Sequence, residues 1–192
     1  MKIYLLRHTS LKINQDTFYG QSDVEVSESF LEEVSIIKKK LSDQGIIESK
    51  LIIFSSPLIR CKKLAQILFK KFTIDERLKE LDFGDWEMKN INEIPNHQIK
   101  SWEKDIINFQ IPNGESNFDF YKRLKSFCDD LENLDADIFV VAHAGSINCI
   151  ISYLANIPFE KLVKDNWKKI KYGSLSSLIK KKSCFEIDLF GE

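Results

Sequence analysis

Three observations predict an α/β fold: a three-layer α/β/α sandwich built on a mostly parallel central sheet. The runs 3–6, 51–54 and 138–142 are wholly apolar, with no polar residue alternating in them. Such runs are strands buried on both faces, the habit of parallel sheets. Each is followed by apolar residues at helical spacing. Strands alternating with helices favour layers over segregated elements. With 192 residues the expectation is one domain, 1–192, in which 76–136 forms a largely helical and loop insertion covering the site. Hydrophobic content of 43% supplies a core, and a net charge of −1 implies no pull toward nucleic acid or membrane. No apolar run approaches the ~20 residues of a membrane span. The N-terminus runs straight into a strand, so the expected location is the cytoplasm.

The first strand runs into Arg7-His8-Thr9. Unpaired charge is costly inside a sheet, so Arg7 and His8 belong at the strand's C-terminal end. Residues 9–26, with Asn14 and Phe18-Tyr19-Gly20-Gln21-Ser22-Asp23, are polar and aperiodic, a loop of functional length. Phe30, Leu31, Val34, Ile37 and Leu41 mark a helix that Gly45 ends. The second strand stops at Ser55-Ser56-Pro57, which reads as an N-cap with proline at the first helical position. Cys61, Leu64, Ala65 and Leu68 share a face of the helix that follows, with Arg60 in its first turn. Residues 73–75 form a short strand and 77–87 an irregular acidic and aromatic segment. A helix is expected within 96–109 around Ile99, Trp102 and Ile106. A turn at 112–116 precedes a long helix marked by Phe118, Tyr121, Leu124, Phe127, Leu131 and Leu134. The third strand ends in His143-Ala144-Gly145-Ser146, with a helix over 147–154. Residues 176–181 and 183–190 alternate, as in a hairpin closing one sheet edge.

Three strand ends thus carry Arg7-His8, Ser55-Ser56-Pro57 with Arg60, and His143. In a parallel sheet these ends share one edge, where ligands of open α/β sheets bind. Guanidinium binds phosphate oxygens bidentately, and helix N-termini add donors. An imidazole between two arginines is pushed toward its neutral form, which is nucleophilic. That is the requirement for a phosphohistidine. Arginine is scarce here: of 28 basic residues only Arg7, Arg60, Arg77 and Arg123 are arginine. Rival chemistries lack their motifs: there is no phosphate-loop pattern, no G-x-S-x-G elbow and no cysteine followed six residues on by arginine. The three histidines show no H-E-x-x-H spacing, which speaks against metal hydrolysis. Cys61, Cys128 and Cys149 fall in apolar patterns as buried thiols, and Cys184 forms no C-x-x-C with any of them.

R-H near the N-terminus, S-S-P-L-x-R, L-x-E-x-x-F-G-x-W-E and A-H-A-G, in that order, resemble the histidine phosphatase (phosphoglycerate mutase-like) superfamily from Lys2 to about Leu154. Y-G-Q-S-D-V and E-L-D-F-G-D-W-E-M are most similar to α-ribazole phosphatases, which remove the 5′-phosphate of α-ribazole phosphate in cobalamin biosynthesis. The resemblance implies His8 as nucleophile, Arg7, Arg60 and His143 as phosphate clamp, and Asn14 touching the phosphate. It implies Gly20 and Gln21 in a loop over the substrate and Glu80 as general acid, ahead of Asp82, Asp85 and Glu87. It implies a small phosphate ester as substrate, with no nucleic acid or membrane partner, and no metal or cofactor, and leaves the oligomeric state open. Thr9 and Met88 stand where the family usually has glycine, and residues 155–192 carry no family motif. Another sugar or nucleotide phosphate, or a mutase reaction, fits the same residues; a dead phospho-ligand-binding fold is the alternative of another class. Arg77, Arg123 and Glu115 read as structural ion pairs, Phe83 and Trp86 as local core, and His97 has no role.

Overall fold

The structure is a computed structural model that describes residues 1–14, 16–131, 133–166, 169–182 and 184–192. Its elements run β1 (Lys2–Arg7), α1 (Phe30–Asp43), β2 (Leu51–Ser55), α2 (Ile59–Leu68), β3 (Thr73–Ile74), α3 (Asn96–Lys104), α4 (Asn117–Leu131), β4 (Asp137–Ala142), α5 (Ala144–Leu154), β5 (Leu175–Lys181) and β6 (Cys184–Leu189). The six strands form one sheet in the order β3-β2-β4-β1-β5-β6. The pairs β2–β3, β2–β4 and β1–β4 are parallel, while β5 runs antiparallel to both β1 and β6. The sheet is therefore mostly parallel, with the predicted hairpin at one edge.

The inner parallel strands β1, β2 and β4 carry apolar side chains on both faces, whereas β3 is exposed and β6 fully buries only Phe185. Tyr4, Leu6, Ile53, Phe139 and Val141 pack with Val34, Ile37 and Leu41 of α1 and with Cys61, Leu64 and Ala65 of α2. Ile3, Leu5, Ile138, Val140 and Ala142 pack on the opposite face with Phe120, Leu124 and Phe127 of α4 and with Ile147, Ile150 and Ile151 of α5. Period-two alternation of the side chains makes both sets apolar at once, which is why these strands read as unbroken hydrophobic runs.

Register brings the functional ends level. Leu6 and Ser55 both pair with Val141, and Arg7 pairs with Ala142. The chain beyond these rows, His8, Ser56 and His143, leaves the carboxyl edge of the sheet together. The main chain of His8 stays pinned: its N–H donates to Ala142 O at 3.1 Å and its carbonyl accepts from Gly173 N–H at 3.0 Å.

Several boundaries differ from the sequence reading. Helix α2 begins at Ile59, not at Pro57, and Leu58 occupies the N-cap position with no side-chain cap. The hydroxyl of Ser56 is drawn to His143 at 2.8 Å, and Asp23 from the loop after β1 accepts from Ile59 N–H at 2.8 Å instead. Helix α3 stops at Lys104, short of Ile106. In α4 the buried positions include Asn117, Phe120, Leu124, Phe127, Cys128 and Leu131, so Phe118 faces solvent. Helix α1 ends as predicted, with Gly45 just beyond it at φ +65°. Positions 15, 132 and 183 of the predicted segments lie outside the described residues. Trp86 is fully buried against Phe18, Trp102 and Phe109, the local core expected of it. Among the described residues no helix is long and apolar enough to cross a membrane.

Candidate active site

His8, Arg60 and His143, distant along the chain, meet at the carboxyl edge of the sheet. The two imidazole rings stand edge to face, centroids 5.2 Å apart. Arg60 Nε donates to His143 Nδ1 at 3.1 Å, its Nη1 to Ser22 O at 2.8 Å and its Nη2 to Gly20 O at 2.5 Å. Arg7 Nη1 donates to Ile170 O at 2.7 Å and Nη2 to the Tyr19 hydroxyl at 3.3 Å, while its buried Nε makes no hydrogen bond among the described residues. All three of His8, Arg60 and His143 are buried.

The partners fix both tautomers. A carbonyl can only accept, so the 2.8 Å contact between His8 Nδ1 and Thr9 O places the proton on Nδ1. The lone pair of neutral His8 is then on Nε2. Guanidinium can only donate, so His143 Nδ1 carries its lone pair and Nε2–H points to Ser56 Oγ. Both rings are held neutral: burial pushes the pKa of His8 well below its usual value, and Arg7 and Arg60 push it further. His143 is lowered likewise, first by burial, then by Arg60, His8 and Arg7. Cys61 Sγ lies 3.5 Å from His143 Nε2, and burial pushes that thiol up to about 12, so it stays protonated.

Glu80 reaches the same edge from the irregular segment. Its Oε2 accepts from Gly145 N–H at 2.9 Å, in the first turn of α5 and two residues past His143. A Cβ on Gly145 would stand 2.2 Å from Glu80 Oε1, so only glycine lets the carboxylate approach this closely. Among the described residues no group of three or more His, Cys, Asp or Glu side chains is placed to hold a metal ion.

Residues 3–192 match the family model of the histidine phosphatase superfamily, branch 1. The chain belongs to the histidine phosphatase superfamily. A Hydrogenobacter thermophilus protein provisionally named phosphoserine phosphatase 2 is 29% identical over 171 residues, covering 84% of this chain and 82% of that protein. A Yersinia pestis protein provisionally named phosphoglycerate mutase GpmB is 27% identical over 169 residues, 82% of this chain and 76% of its own. In fold, the α-ribazole phosphatase of Shigella flexneri superposes with a TM-score of 0.86 at 22% identity, over 100% of this chain and 96% of that one.

Not every residue carried over from the superfamily reaches the cluster. Gly20 takes part through its carbonyl, and Gln21 through Nε2, which donates to Glu80 O at 3.3 Å. Asn14 is exposed, and among the described residues it makes no hydrogen bond to the cluster. Other residues join unforeseen. The Tyr172 ring lies 5.5 Å from that of His8 and 4.0 Å from Arg7 Cζ, and its hydroxyl meets that of Tyr19 at 2.5 Å. Together the two tyrosines roof the site. Tyr172 lies in the stretch without a superfamily motif, so nothing in the sequence singled it out, whereas Tyr19 sat unremarked inside the Phe18–Asp23 run. Ser56 was read as a helix cap and is the acceptor for His143.

Proposed function

We propose that this histidine phosphatase hydrolyses small phosphate monoesters through a phosphohistidine on His8. The observation that carries the reading is the His8 Nδ1 contact to Thr9 O at 2.8 Å, which leaves the Nε2 lone pair free on a ring that feels the charge of both Arg7 and Arg60. In the first step Nε2 attacks phosphorus in line; an N–P bond forms as the P–O ester bond breaks. Arg7 and Arg60 hold the equatorial oxygens while charge redistributes. His143, neutral and with both nitrogens engaged, serves the clamp by holding the Arg60 fork. Protonated Glu80 gives its proton to the leaving oxygen. In the second step Glu80 takes a proton from water, which attacks phosphorus and releases phosphate and free His8. Positive charge comes from the arginines, so no metal is routed through the mechanism. The whole chain acts as one unit, with 76–136 supplying Glu80 and its braces. We place the protein in the cytoplasm.

The substrate we assign first is α-ribazole 5′-phosphate, supported by the Y-G-Q-S-D-V and tryptophan motifs and by likeness of fold. Phosphoserine is the second reading, favoured by the 29% identical Hydrogenobacter relative. Rapid quenching with labelled substrate tests the chemistry. Label is expected on the wild-type protein and none on His8→Ala, whose turnover falls to background. Substantial hydrolysis by His8→Ala would refute the nucleophile. Comparing kcat/KM for α-ribazole 5′-phosphate, phosphoserine and 3-phosphoglycerate ranks the substrates, and an isomerised phosphoglycerate product would reveal a mutase.

A further inference from the structure

Arg60 is buried with no carboxylate paired to it among the described residues, and a peptide turn holds it instead. The carbonyls of Gly20 and Ser22 face its guanidinium at 2.5 and 2.8 Å. The amides of the same turn face the other way, toward Glu87. Gly20 N–H donates to both carboxylate oxygens at 3.1 and 3.0 Å, Gln21 N–H to Oε1 at 2.8 Å and Ser22 N–H to Oε2 at 3.2 Å. Phe83 N–H adds a fourth donor to Oε1 at 3.1 Å. The turn therefore lies between an anion and a cation with its peptide dipoles aligned to both. There is no slack in it: a Cβ on Gly20 would sit 1.8 Å from Leu81 O.

A carboxylate placed directly on Arg60 would occupy the fork that a phosphate needs, because both anions use the same bidentate geometry. One turn removed, the same carboxylate can orient the fork and leave its N–H groups and its charge available. We infer that Glu87 is a positioning residue for Arg60, acting through the 20–22 turn and setting affinity for the substrate's phosphate. The inference rests on the reading of Arg60 as a phosphate clamp.

Glu87→Gln keeps the shape but turns one acceptor oxygen into a donor facing amide N–H groups. Inorganic phosphate affinity by calorimetry, and KM and kcat on p-nitrophenyl phosphate, would be measured for wild type, Glu87→Gln, Arg60→Ala and the double variant. The expected result is phosphate affinity about tenfold weaker and KM raised to match, the scale of one charge-assisted hydrogen bond, with kcat changed less. In the Arg60→Ala background the same substitution should change phosphate affinity less than about twofold, because its route to the ligand is gone. An undiminished effect in that background, or wild-type affinity in Glu87→Gln, overturns the inference while the clamp stands. Wild-type affinity in Arg60→Ala overturns the clamp itself, and the inference with it. Should Glu87→Gln not fold, Glu87→Asp keeps the charge and draws it back. Only four arginine Nε–H resonances are possible, and that of Arg60 is expected to broaden in Glu87→Asp; an unchanged signal counts against the inference.

Discussion

The four arginines divide into two pairs that are held in opposite ways. Arg77 and Arg123 meet carboxylates: Arg77 bridges Asp75 at 2.7 Å and Asp130 at 2.6 Å, and Arg123 bridges Glu115 at 2.7 Å. Arg7 and Arg60 meet carbonyls, hydroxyls, imidazole and aromatic faces, and among the described residues neither is ion-paired. An unneutralised pair of cations beside two buried imidazoles works against stability, since like charges raise one another's cost. The difference teaches where an anion belongs. Carboxylate-held arginines spend their charge on the fold, and carbonyl-held ones keep it for a ligand. The two regions are nonetheless connected. Arg123 also donates to the carbonyls of Arg77, Lys79 and Glu80 at 2.7, 3.0 and 3.2 Å, so the structural pair braces the segment that presents Glu80.

The sharpest way to break this comparison is to remove one arginine from each pair. Arg60→Ala is expected to lower kcat/KM by about 10³–10⁵, the range for an arginine stabilising phosphoryl transfer, and to weaken stabilisation by added phosphate. Wild-type protein should gain about 2.7 kcal/mol at a phosphate concentration 100 times the dissociation constant. Arg123→Ala is expected to lose about 1–3 kcal/mol of stability, because Glu115 and three backbone carbonyls lose their donor, while still responding to phosphate. Denaturation with and without phosphate, alongside kinetics, checks both. Equal behaviour of the two variants would dissolve the distinction.

The next effect lies at the junction. Gly145→Ala puts a methyl where Glu80 sits and should displace that carboxylate from α5. A loss of about 10²–10⁴ in kcat is expected, the span of general acid–base help, and it should be larger for poor leaving groups. A loss equal for p-nitrophenyl phosphate and an alkyl phosphate would mean that Glu80 gives no proton to the leaving oxygen.

How far these regions were legible in the sequence follows from the kind of signal each leaves. Strand interiors announced themselves because burial on both faces leaves only apolar letters, and His8, Arg60 and His143 followed because strand ends in a parallel sheet converge. The stripe of α4 was read well except at its two ends, Phe118, which is exposed, and Leu134, which lies beyond the helix, because periodicity gives the spacing of a stripe and less well its edge. Tyr172 was not legible, and Glu87, though the last letter of L-x-E-x-x-F-G-x-W-E, gave no sign of its partner. Their importance comes from contacts across 153 and some 65 residues with loops of no period, and sequence spacing carries no information about such pairings. The start of α2 was misplaced for a related reason: the Ser56 hydroxyl meets a distant imidazole at 2.8 Å and the local Leu58 amide only at 3.4 Å, and the first of these contacts exists only in the tertiary structure.

The two regions should also titrate in different windows. His8 and His143 have pKa values below the ordinary 6.5, so between their depressed values and 6.5 the unfolded chain binds more protons than the folded one. Stability is level above that window and falls as pH drops below 6.5, by up to about 1.4 kcal/mol per pH unit for each imidazole. Burial raises Asp75, but hydrogen bonds from Arg77 more than offset it and leave its pKa below 3.8. Its contribution is therefore intact above 3.8 and lost only as pH falls further. Urea denaturation across pH 4–8 should show the loss already under way by pH 5.5, and His143→Gln should flatten it. A decline starting only near pH 4 would assign the acid sensitivity to the carboxylate-held pair.

The smallest effect separates strain from positioning beside Glu87. Met88 sits at φ 61°, in the left-handed region that favours glycine, and its N–H donates to Phe18 O at 2.8 Å. A non-glycine residue there costs about 1–2 kcal/mol, and the greater freedom of unfolded glycine returns about 0.4–1 of it. The side chain is 53% exposed, so its removal gives up little packing. Met88→Gly should therefore raise stability by about 0.5–1 kcal/mol, a melting shift of a few degrees in a chain this long. Phosphate affinity should stay put, since the Glu87 contacts to the 20–22 turn do not pass through the Met88 side chain. If affinity fell with this substitution, the strained backbone of 87–89, and not the carboxylate alone, would be what aims the carbonyl-held arginine.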